Sequence, residues 1–310
     1  MHPAALNTAS HTTLSAAARE RLQQITVVSV TFNSAHCIKR LQPFLCDCPH
    51  VVFVDNASRD DTLDTIARLL PHAMVLRNAH NLGFGAANNR ALQQVQTPYA
   101  LLLNPDCETT PEVIAELVEL AHAWPDAAML APQLTNGSGQ PEINYRWPRS
   151  RWSSKGPGAD ALCCVGFITG AIVLLNMRVM QQIGFFDEDF FLYYEDDDLC
   201  ERVFAQRQPI MIAPHLRAVH HSRGSVKGKS PWRAEYLRGF HHAQSKILFV
   251  AKHQSLPQAR RLRWRVLLLA LLSFPLRCLI PQPKYLARLA GRIVGLLQPR
   301  WPSPDRHHRP

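Results

Sequence analysis

The feature that most constrains the fold is a regular alternation of strand-like and helix-like segments over the first 122 residues. Short apolar runs rich in β-branched residues alternate with stretches whose apolar residues recur at helical spacing. The predicted strands are Ile25–Phe32, Val51–Asp55, Ala73–Leu76 and Tyr99–Asn104, and the predicted helices are Ser34–Leu45, Asp60–Leu70, Gly85–Val95 and Pro111–His122. This order predicts an α/β fold in which a mostly parallel central sheet carries helices on both faces.

The remainder of the chain adds further elements and suggests four segments. After a loop-like stretch, Asn136–Asp160, the patterns predict a strand at Phe167–Asn176, a helix at Glu195–Ala205, short strands at Ile210–Ala213 and Ala218–His220, and a helix at Trp232–Lys252. We expect residues 1–22 to be a disordered N-terminal segment and 23–230 to form the α/β domain. Residues 231–298 are expected to be a basic helical region, and 299–310 a disordered tail.

Positive charge is concentrated at the C-terminal end. The chain has 34 Lys and Arg against 24 Asp and Glu, and from Lys252 onward there are 12 basic residues and one acid, Asp305. A near-neutral body with a basic tail favours an anionic partner, either phospholipid or nucleic acid. Nucleic-acid binding predicts basic and aromatic residues across one face of the folded body. Because the body instead has clustered acids, we expect no nucleic-acid partner.

The basic tail has the pattern of a helix that lies on a membrane surface. Basic residues recur every four positions and share one helical face, with apolar residues on another. The basic positions are Lys284, Arg288 and Arg292, and the apolar positions are Tyr285, Leu289, Ile293 and Leu296. This pattern predicts an interfacial helix on anionic lipid, and the alternative is a basic helical subdomain packed on the core. The longest apolar run, Val266–Phe274, is too short to span a bilayer.

The N-terminal residues and the cysteines bear on localisation. Residues 1–21 are polar and lack the apolar segment of a signal peptide. The eight cysteines include no CxxC pair and mostly lie in apolar runs, which favours reduced thiols over the alternative of a disulfide set. We therefore expect a cytoplasmic protein that is peripheral on the inner face of the cytoplasmic membrane. A homodimer is also compatible with the sequence.

Polar side chains follow two predicted strands at the sheet edge where ligands of α/β proteins bind. Asp55 and Asn56 end the second strand, where an acid can accept a hydrogen bond from a nucleotide base or ribose. Asn104 and Asp106 flank Pro105 after the fourth strand, and their oxygens suit Mg²⁺ or Mn²⁺ held against a pyrophosphate. Turn and helix-capping roles are the alternative for both motifs.

Three further motifs contain groups that suit ligand binding or catalysis. The segment Asn81–Asn89 has glycines at a strand-to-helix junction, where backbone can approach a phosphate or sugar. Four consecutive acids, Glu195–Asp198, follow two aromatic pairs, and acids beside apolar surface can act as general bases. The alternative is favourable charge at a helix N-terminus. His220 and His221 are candidate metal ligands, although a structural histidine pair is the alternative.

In this order the motifs resemble family 2 inverting glycosyltransferases of the GT-A fold. Within that family they are most similar to rhamnosyltransferase-like members that build bacterial cell-surface polysaccharide. The matching segments are VVSVTFNS (Val27–Ser34), VDNASRD (Val54–Asp60), NLGFGAANN (Asn81–Asn89), LLLNPDC (Leu101–Cys107), GFITGAIVLLN (Gly166–Asn176) and GFFDEDFFLYYEDDDLCERV (Gly184–Val203). The resemblance covers about residues 26–225. Any one of these motifs is weak evidence for the family, but six motifs in the same order are a specific match.

The resemblance implies a role for each matching residue. Asp196 matches the family's general base, with Glu195 beside it. Asp106 matches the last acid of the DxD-type metal motif, whose first acid is replaced here by Asn104. The implied metal residues are Asp106 and His220, with His221 as the alternative. The implied nucleotide-sugar site comprises Thr31, Asn33, Asp55, Asn56, Asn81, Gly83, Asn88 and Asn104.

The resemblance also implies an activity, which is transfer of a sugar from a nucleotide-diphospho-sugar with inversion, supported by Mg²⁺ or Mn²⁺. The favoured donor is dTDP-rhamnose, and the favoured acceptor is lipid-linked or a polysaccharide in cell-surface glycan synthesis. A UDP-hexose or UDP-galactofuranose donor is the alternative. In a different class, the alternative is a non-catalytic protein that binds nucleotide sugar or nucleic acid. All roles require that Asp55, Asp106 and Asp196 converge in one cleft.

Overall fold

The computed structural model describes residues 14–147, 158–221, 231–279 and 282–302, and the elements below lie within them. The strands are β1 (Ile25–Thr31), β2 (Val51–Asp55), β3 (Met74–Arg77), β4 (Tyr99–Leu103), β5 (Cys107–Glu108), β6 (Met129–Thr135), β7 (Pro141–Glu142), β8 (Tyr145–Arg146), β9 (Cys163–Cys164), β10 (Phe167–Ile168), β11 (Ile172–Asn176) and β12 (Ile210–His220). The helices are α1 (Ala16–Leu22), α2 (Ala35–Leu45), α3 (Thr62–Leu69), α4 (Phe84–Leu92), α5 (Pro111–Ala123), α6 (Met177–Ile183), α7 (Glu195–Ala205), α8 (Pro231–His253), α9 (Leu256–Cys278) and α10 (Pro283–Leu297).

The central sheet has the order β3-β2-β1-β4-β11-β6-β12-β5. Strands β3, β2, β1 and β4 are parallel, as the alternation of strands and helices predicted. Strand β11 instead runs antiparallel between β4 and β6, so that the sheet is mixed. The physical reason is that the chain reaches β11 through the excursion at 136–171 and not through a single helical crossover.

Both faces of this sheet are buried. Val27 and Val28 are adjacent on β1 and are both fully buried. Val27 belongs to the core layer that contains Ile38 of α2, whereas Val28 belongs to the opposite layer, with Ala87 of α4. Because successive side chains point to opposite faces, a strand covered on both sides must be apolar throughout. This explains the continuous apolar runs of the sequence.

The N-terminal boundary needs a correction. Residues 1–22 were expected to be disordered, but 16–22 form helix α1, and residues 1–13 lie outside the described residues. The Ser15 hydroxyl caps this helix by accepting a hydrogen bond from the amide of Ala18 at 3.1 Å. Leu22 is fully buried in the core, and Arg21 pairs with Glu119 of α5 at 2.9 Å. These contacts attach α1 to the domain.

The basic C-terminal region is helical, as predicted, but α10 is not a free surface helix. Leu289 and Leu296, two of the apolar residues assigned to a membrane face, are buried. The backbones of α8 and α10 meet at glycines, since a Cβ on Gly291 would lie 2.0 Å from the carbonyl oxygen of Tyr236. The apolar face of α10 therefore packs on α8. The tail at 299–310 was expected to be disordered, but residues 299–302 are described, and the guanidinium of Arg300 lies 5.8 Å from the ring centroid of Phe191. Residues 303–310 lie outside the described residues.

Within the described part of the chain, every helix is too short or too polar to span a bilayer.

Candidate active site

Three of the predicted site residues, Thr31, Asp55 and Asn104, lie at one edge of the sheet. Thr31 and Asp55 are paired across the ends of β1 and β2, and β4 lies beside β1 in the same direction. Carboxyl ends of parallel strands share an edge, so Asn104 follows β4 at this edge too. Its amide donates to the carbonyl of Ala171 at 2.8 Å, which brings the segment before β11 to the same place.

Asp55 is part of a hydrogen-bond network at the ends of β1 and β2. Its side chain is buried, and one carboxylate oxygen accepts from the hydroxyl of Thr31 at 3.2 Å. The other oxygen accepts from the amide of Ser58 at 3.0 Å. Asn33 joins this network because its amide donates to the Ser58 hydroxyl at 2.9 Å. The structure thus groups three predicted nucleotide-site residues, Thr31, Asn33 and Asp55.

The predicted amide residues shape the glycine-containing loop. The Asn56 amide group donates to the Asn81 side-chain oxygen at 2.9 Å and to the Gly83 carbonyl at 3.1 Å. Its oxygen accepts from the amide of Leu82 at 3.0 Å. Asn88 is buried and donates to the carbonyl of Phe84 within its own helix at 2.9 Å. These bonds give Asn56, Asn81 and Asn88 a structural role, and their contact with a nucleotide sugar stays a prediction.

Gly83 allows this loop to touch the segment before the acidic helix α7. Its φ is +92°, and a Cβ there would lie 2.2 Å from the carbonyl oxygen of Phe191. The same carbonyl accepts from the amide of Phe84 at 3.0 Å. Gly85 is similarly close, because its Cβ would lie 2.9 Å from the Cβ of Phe186. The loop and the acidic segment are therefore one packed unit.

We expect Gly83→Ala to lower the free energy of unfolding by more than about 1 kcal/mol, because it combines a left-handed φ with a backbone clash. Gly139→Ala is the matched control, since Gly139 has φ +77° but nothing within 4 Å of its Cβ. Urea unfolding monitored by circular dichroism measures both. Equal losses in the two variants would mean that the contact with Phe191 contributes nothing.

A candidate metal centre lies where β5 pairs with β12. Cys107 and His220 are paired in register, and ligand atoms of Asp106, Cys107 and His220 all lie within 4.8 Å of one another. Nε2 of His220 is 3.7 Å from the carboxylate of Asp106. His221 instead lies 2.8 Å from the carboxylate of Glu108. Of the two histidines left open by the sequence, His220 is thus the one that faces Asp106.

Cys107 is the member of this cluster that the sequence analysis did not single out. Burial, followed by the charge of Asp106, raises the pKa of its thiol well above the usual value. The thiol donates to the carbonyl of Ala171 at 3.4 Å. Since a thiolate and not a thiol is the metal ligand, the fitting donor set is the Asp106 carboxylate and the His220 imidazole. One oxygen and one nitrogen ligand suit Mn²⁺, and Mg²⁺ less well, with further positions left for phosphate oxygens.

Two of the four consecutive acids on α7 are engaged in ion pairs. Asp197 pairs with Arg146 of β8, whose guanidinium lies 3.6 Å from the ring centroid of Phe167. Asp198 lies 2.7 Å from Nε2 of His253 and 2.9 Å from Nε of Arg202. Burial alone would raise the pKa of Asp198, but these two partners lower it. Asp197 and Asp198 therefore anchor the helix.

The other two acids, Glu195 and Asp196, have the properties of proton acceptors or donors. Burial and the negative charge of Asp197 raise the pKa of Asp196 to about 6, although the Gly170 amide donates to its carboxylate at 3.3 Å. Burial and the charge of Asp196 raise the pKa of Glu195 well above its usual value. Among the described residues, the buried Oε2 of Glu195 has no hydrogen-bond partner. Raised carboxyl pKa values are typical of general bases.

The backbone before these acids is strained and is supported by α8. Tyr193 and Tyr194 have φ values of 67° and 68°, which costs bulky residues about 1–3 kcal/mol each. The ring of His242 lies 5.8 Å from that of Tyr193 and 5.4 Å from that of Tyr194. The Ser245 hydroxyl donates to the carbonyl of Leu192 at 2.9 Å. Helix α8 thus holds the segment before the acids in place.

An open cleft of about 520 Å³ joins the acidic helix to the candidate metal centre. Asp196 and His220 both line it. Its other walls include Asn144, Arg146, Phe167, Tyr193 and His242. The carboxylate of Asp196, with its raised pKa, thus shares one cavity with His220, which is one of the two residues of the candidate donor set.

Comparison with known proteins identifies the family. The model of glycosyl transferase family 2 matches residues 26–201, more than half of the chain. The chain belongs to glycosyltransferase family 2. This transferase is 26% identical over 276 residues to the N-acetylglucosaminyl-diphospho-decaprenol L-rhamnosyltransferase of Mycobacterium tuberculosis, covering 77% of this chain and 87% of the relative. It is 28% identical to the low-salt glycan biosynthesis hexosyltransferase Agl10 of Haloferax volcanii, covering 62% and 64% of the two chains.

Solved structures agree on the GT-A fold of the transferase. The mannosyltransferase PcManGT from Pyrobaculum calidifontis, in complex with GDP-Man and Mn²⁺, has a TM-score of 0.53 at 15% identity, over 89% of this chain and 86% of that one. GalNAc-T7 with UDP, GalNAc and Mn²⁺ also has a TM-score of 0.53, at 14% identity, over 78% and 52%. The predicted fold, family and enzyme class, a rhamnosyltransferase-like glycosyltransferase, are confirmed.

Proposed function

We propose that this transferase moves L-rhamnose from dTDP-rhamnose, with inversion, to a lipid-linked acceptor in cell-surface glycan synthesis. The observation that carries the proposal is the shared cleft of Asp196 and His220, with His220 facing Asp106. The choice of donor and acceptor is supported by the similar mycobacterial protein, whose name specifies an L-rhamnosyltransferase and a diphospho-decaprenol acceptor. The site of action would be the cytoplasmic face of the membrane that carries this lipid.

In this mechanism Asp196 removes the proton from the acceptor hydroxyl. Its pKa of about 6 makes it a stronger base than an ordinary aspartate, while most of it remains ionised at neutral pH. The acceptor oxygen attacks the anomeric carbon as the bond to the nucleoside diphosphate breaks, and a single displacement inverts the stereochemistry. The amide of Gly170, 3.3 Å from the carboxylate, orients the base. Glu195 is proposed to assist beside it, because burial and the charge of Asp196 raise its pKa well above the usual value.

The donor would lie along the edge formed by β1, β2 and β4. Asp55, with Thr31 and Asn33, is proposed to contact the nucleotide base, and Asn104 to lie beside the diphosphate. Asp106 and His220 would hold Mg²⁺ or Mn²⁺ there. When bound, this cation neutralises the negative charge that develops on the leaving diphosphate.

Cations beside the cleft support an acceptor that contains a diphosphate. His242 lines the cleft on the side of α8. Burial, with the positive charges of Arg292, Lys246 and Arg288, lowers the pKa of His242 to about 4. The imidazole is therefore neutral at neutral pH, and Arg292, whose side chain is exposed, is the cation that we propose for an anionic acceptor. Diphosphate oxygens are strong partners for guanidinium and ammonium groups.

We expect Arg292→Ala to raise the KM for a water-soluble, short-chain diphosphate acceptor about tenfold with little change in kcat, because one charge-assisted contact is lost. The KM for a phosphate-free glycoside acceptor should not change. Arg68→Ala, which removes an exposed arginine from α3, is the control. If Arg292→Ala raises both KM values equally, the role of Arg292 in diphosphate binding is excluded.

The experiment that tests the function compares donors on one acceptor. The protein is incubated with Mn²⁺ or Mg²⁺, an N-acetylglucosaminyl-diphospho-polyprenol, and dTDP-rhamnose, UDP-glucose or UDP-galactofuranose in parallel. We expect transfer from dTDP-rhamnose alone, with inverted anomeric configuration by NMR. Transfer from a UDP-sugar alone would contradict the proposed donor, while the protein would still be a glycosyltransferase. A product that retains the anomeric configuration of the donor would contradict the proposed single-displacement mechanism.

A further inference from the structure

The largest exposed apolar surface of the C-terminal region lies on α9 and not on α10. Helix α10 is packed against α8 through Gly239, Gly291 and Gly295, each of which would place a Cβ within 2.4 Å of a carbonyl oxygen of the facing helix. On α9 and at the residue that caps its C-terminus, by contrast, six leucines are between 50% and 81% exposed. They are Leu268, Leu269, Leu271, Leu272, Leu276 and Leu279, and we name them the α9 ridge.

The α9 ridge forms one broad apolar face. At 3.6 residues per turn, its six leucines spread over about 160° of the helix circumference. Between Leu268 and Leu279 only Ala270 is buried among the described residues. Contiguous apolar surface of this kind marks a contact with a protein or a membrane.

Basic residues flank the α9 ridge on both sides. Arg260, Arg261 and Arg265 precede it and are exposed, and Arg277 and Lys284 are exposed at its other end. The sequence contains no Asp or Glu from residue 236 to residue 304. An apolar surface bordered only by cations is complementary to an anionic lipid surface, where apolar groups enter the acyl region and cations stay among the headgroups.

The same charges disfavour a second copy of this chain as the occupant. A symmetric contact between two α9 ridges would bring Arg265 and Arg277 of both copies together, with no acid on α9 or α10 to offset their repulsion. The ridge spans 12 residues, or about 18 Å of helix, against a hydrocarbon core of about 30 Å. The ridge is therefore too short to cross the bilayer, and cations at both of its ends are compatible with a helix that lies in the plane of the membrane surface.

We propose that the α9 ridge inserts into the surface of an anionic bilayer, with the flanking arginines at headgroup level. The inference deepens the proposed function and rests on it in one respect, since a lipid-linked acceptor would be presented in that same bilayer. It also corrects the sequence-based expectation, which assigned the membrane face to Leu289, Ile293 and Leu296 of α10.

Cosedimentation of the full chain with vesicles tests this proposal. Vesicles of phosphatidylcholine with one quarter phosphatidylglycerol are compared with pure phosphatidylcholine vesicles. We expect tighter binding to the anionic vesicles, weakened by salt, and a loss of roughly a hundredfold or more in the triple variant Leu268→Ser, Leu272→Ser, Leu276→Ser. The double variant Arg261→Glu, Arg265→Glu should lose affinity for the anionic vesicles only.

The matched control is the double variant Trp124→Ser, Phe204→Ser, which removes side chains that are 50% and 52% exposed outside the ridge. It should bind vesicles as the unchanged protein does. Unchanged vesicle binding by the triple variant would overturn the proposal. So would sedimentation velocity that shows a dimer for the unchanged protein and a monomer for the triple variant, with vesicle binding absent in both.

Transfer assays separate this proposal from the proposed function. The triple variant should keep its activity on a water-soluble short-chain acceptor and lose it, by tenfold or more, on a long-chain acceptor embedded in vesicles. Failure of the unchanged protein on both acceptors, with vesicle binding still dependent on the ridge, would overturn the proposed function and leave the membrane contact intact.

Discussion

Asp196→Asn should abolish sugar transfer while the protein still binds its nucleotide sugar. Asparagine keeps the size of the side chain and its contact with the Gly170 amide but cannot accept the proton of the acceptor hydroxyl. Removal of a general base costs about 10²–10⁴-fold in rate. Single-turnover kinetics measure the loss, and isothermal titration with the nucleotide sugar and Mn²⁺ measures donor affinity.

The pH dependence gives the same prediction an independent test. The base acts when it is deprotonated, and its pKa is raised to about 6 by burial and by the charge of Asp197. At saturating substrates, kcat should therefore fall about tenfold for each pH unit below 6 and level off above it. The positive charge of Arg146 lowers the pKa of Asp196. Removal of that charge should therefore raise this pKa and move the fall in kcat to higher pH.

Asp198→Asn is the comparison that separates chemistry from folding. Asp198 lies two residues further along the same helix and is buried and paired with His253 and Arg202, so its loss should reduce stability with a smaller effect on the rate of the folded enzyme. Thermal unfolding of both variants distinguishes the two effects. Turnover retained by a folded Asp196→Asn protein would remove Asp196 as the base.

The fold could be predicted as far as local patterns determine it. The β-branched runs and helical spacings of residues 25–122 are local, and they predicted β1 to β4 with the helices that follow them. The position of β11 between β4 and β6 depends on contacts that are distant in sequence. No pattern within Ile172–Asn176 predicts that this strand runs antiparallel to its neighbours. The two short strands predicted at 210–220 are one strand, since the chain continues past the irregularity between Ala213 and Arg217.

The acids of the candidate site could be predicted from the sequence, but the side chains that contact them could not. Asp55 and Asp106 follow parallel strands, so topology alone brings them to one edge. His220 and His221 could not be separated from the sequence, because only the folded structure shows that the imidazole of His220 lies 3.7 Å from Asp106 whereas that of His221 lies 2.8 Å from Glu108. The pairing of Arg146 with Asp197 joins residues 51 apart in sequence, which no spacing rule foresees.

Asp106→Asn is the second change with a large expected effect. The substitution removes the charge that a divalent cation requires, and loss of such stabilisation at a developing charge costs about 10²–10³-fold in rate. His220→Ala removes the other ligand of the candidate centre and should raise the Mn²⁺ concentration needed for half-maximal activity. Initial rates measured across a Mn²⁺ series, after removal of metal with EDTA, report both effects.

His221→Ala provides the matched control, because the two histidines are adjacent but His221 lies against Glu108, 2.8 Å from its carboxylate. Its effect on the Mn²⁺ dependence should be less than about twofold, within the range of altered surface pairs. A shift as large as that of His220→Ala would mean that both imidazoles approach the cation. Activity that survives EDTA in the unchanged protein would instead mean that transfer does not require a divalent cation at Asp106 and His220.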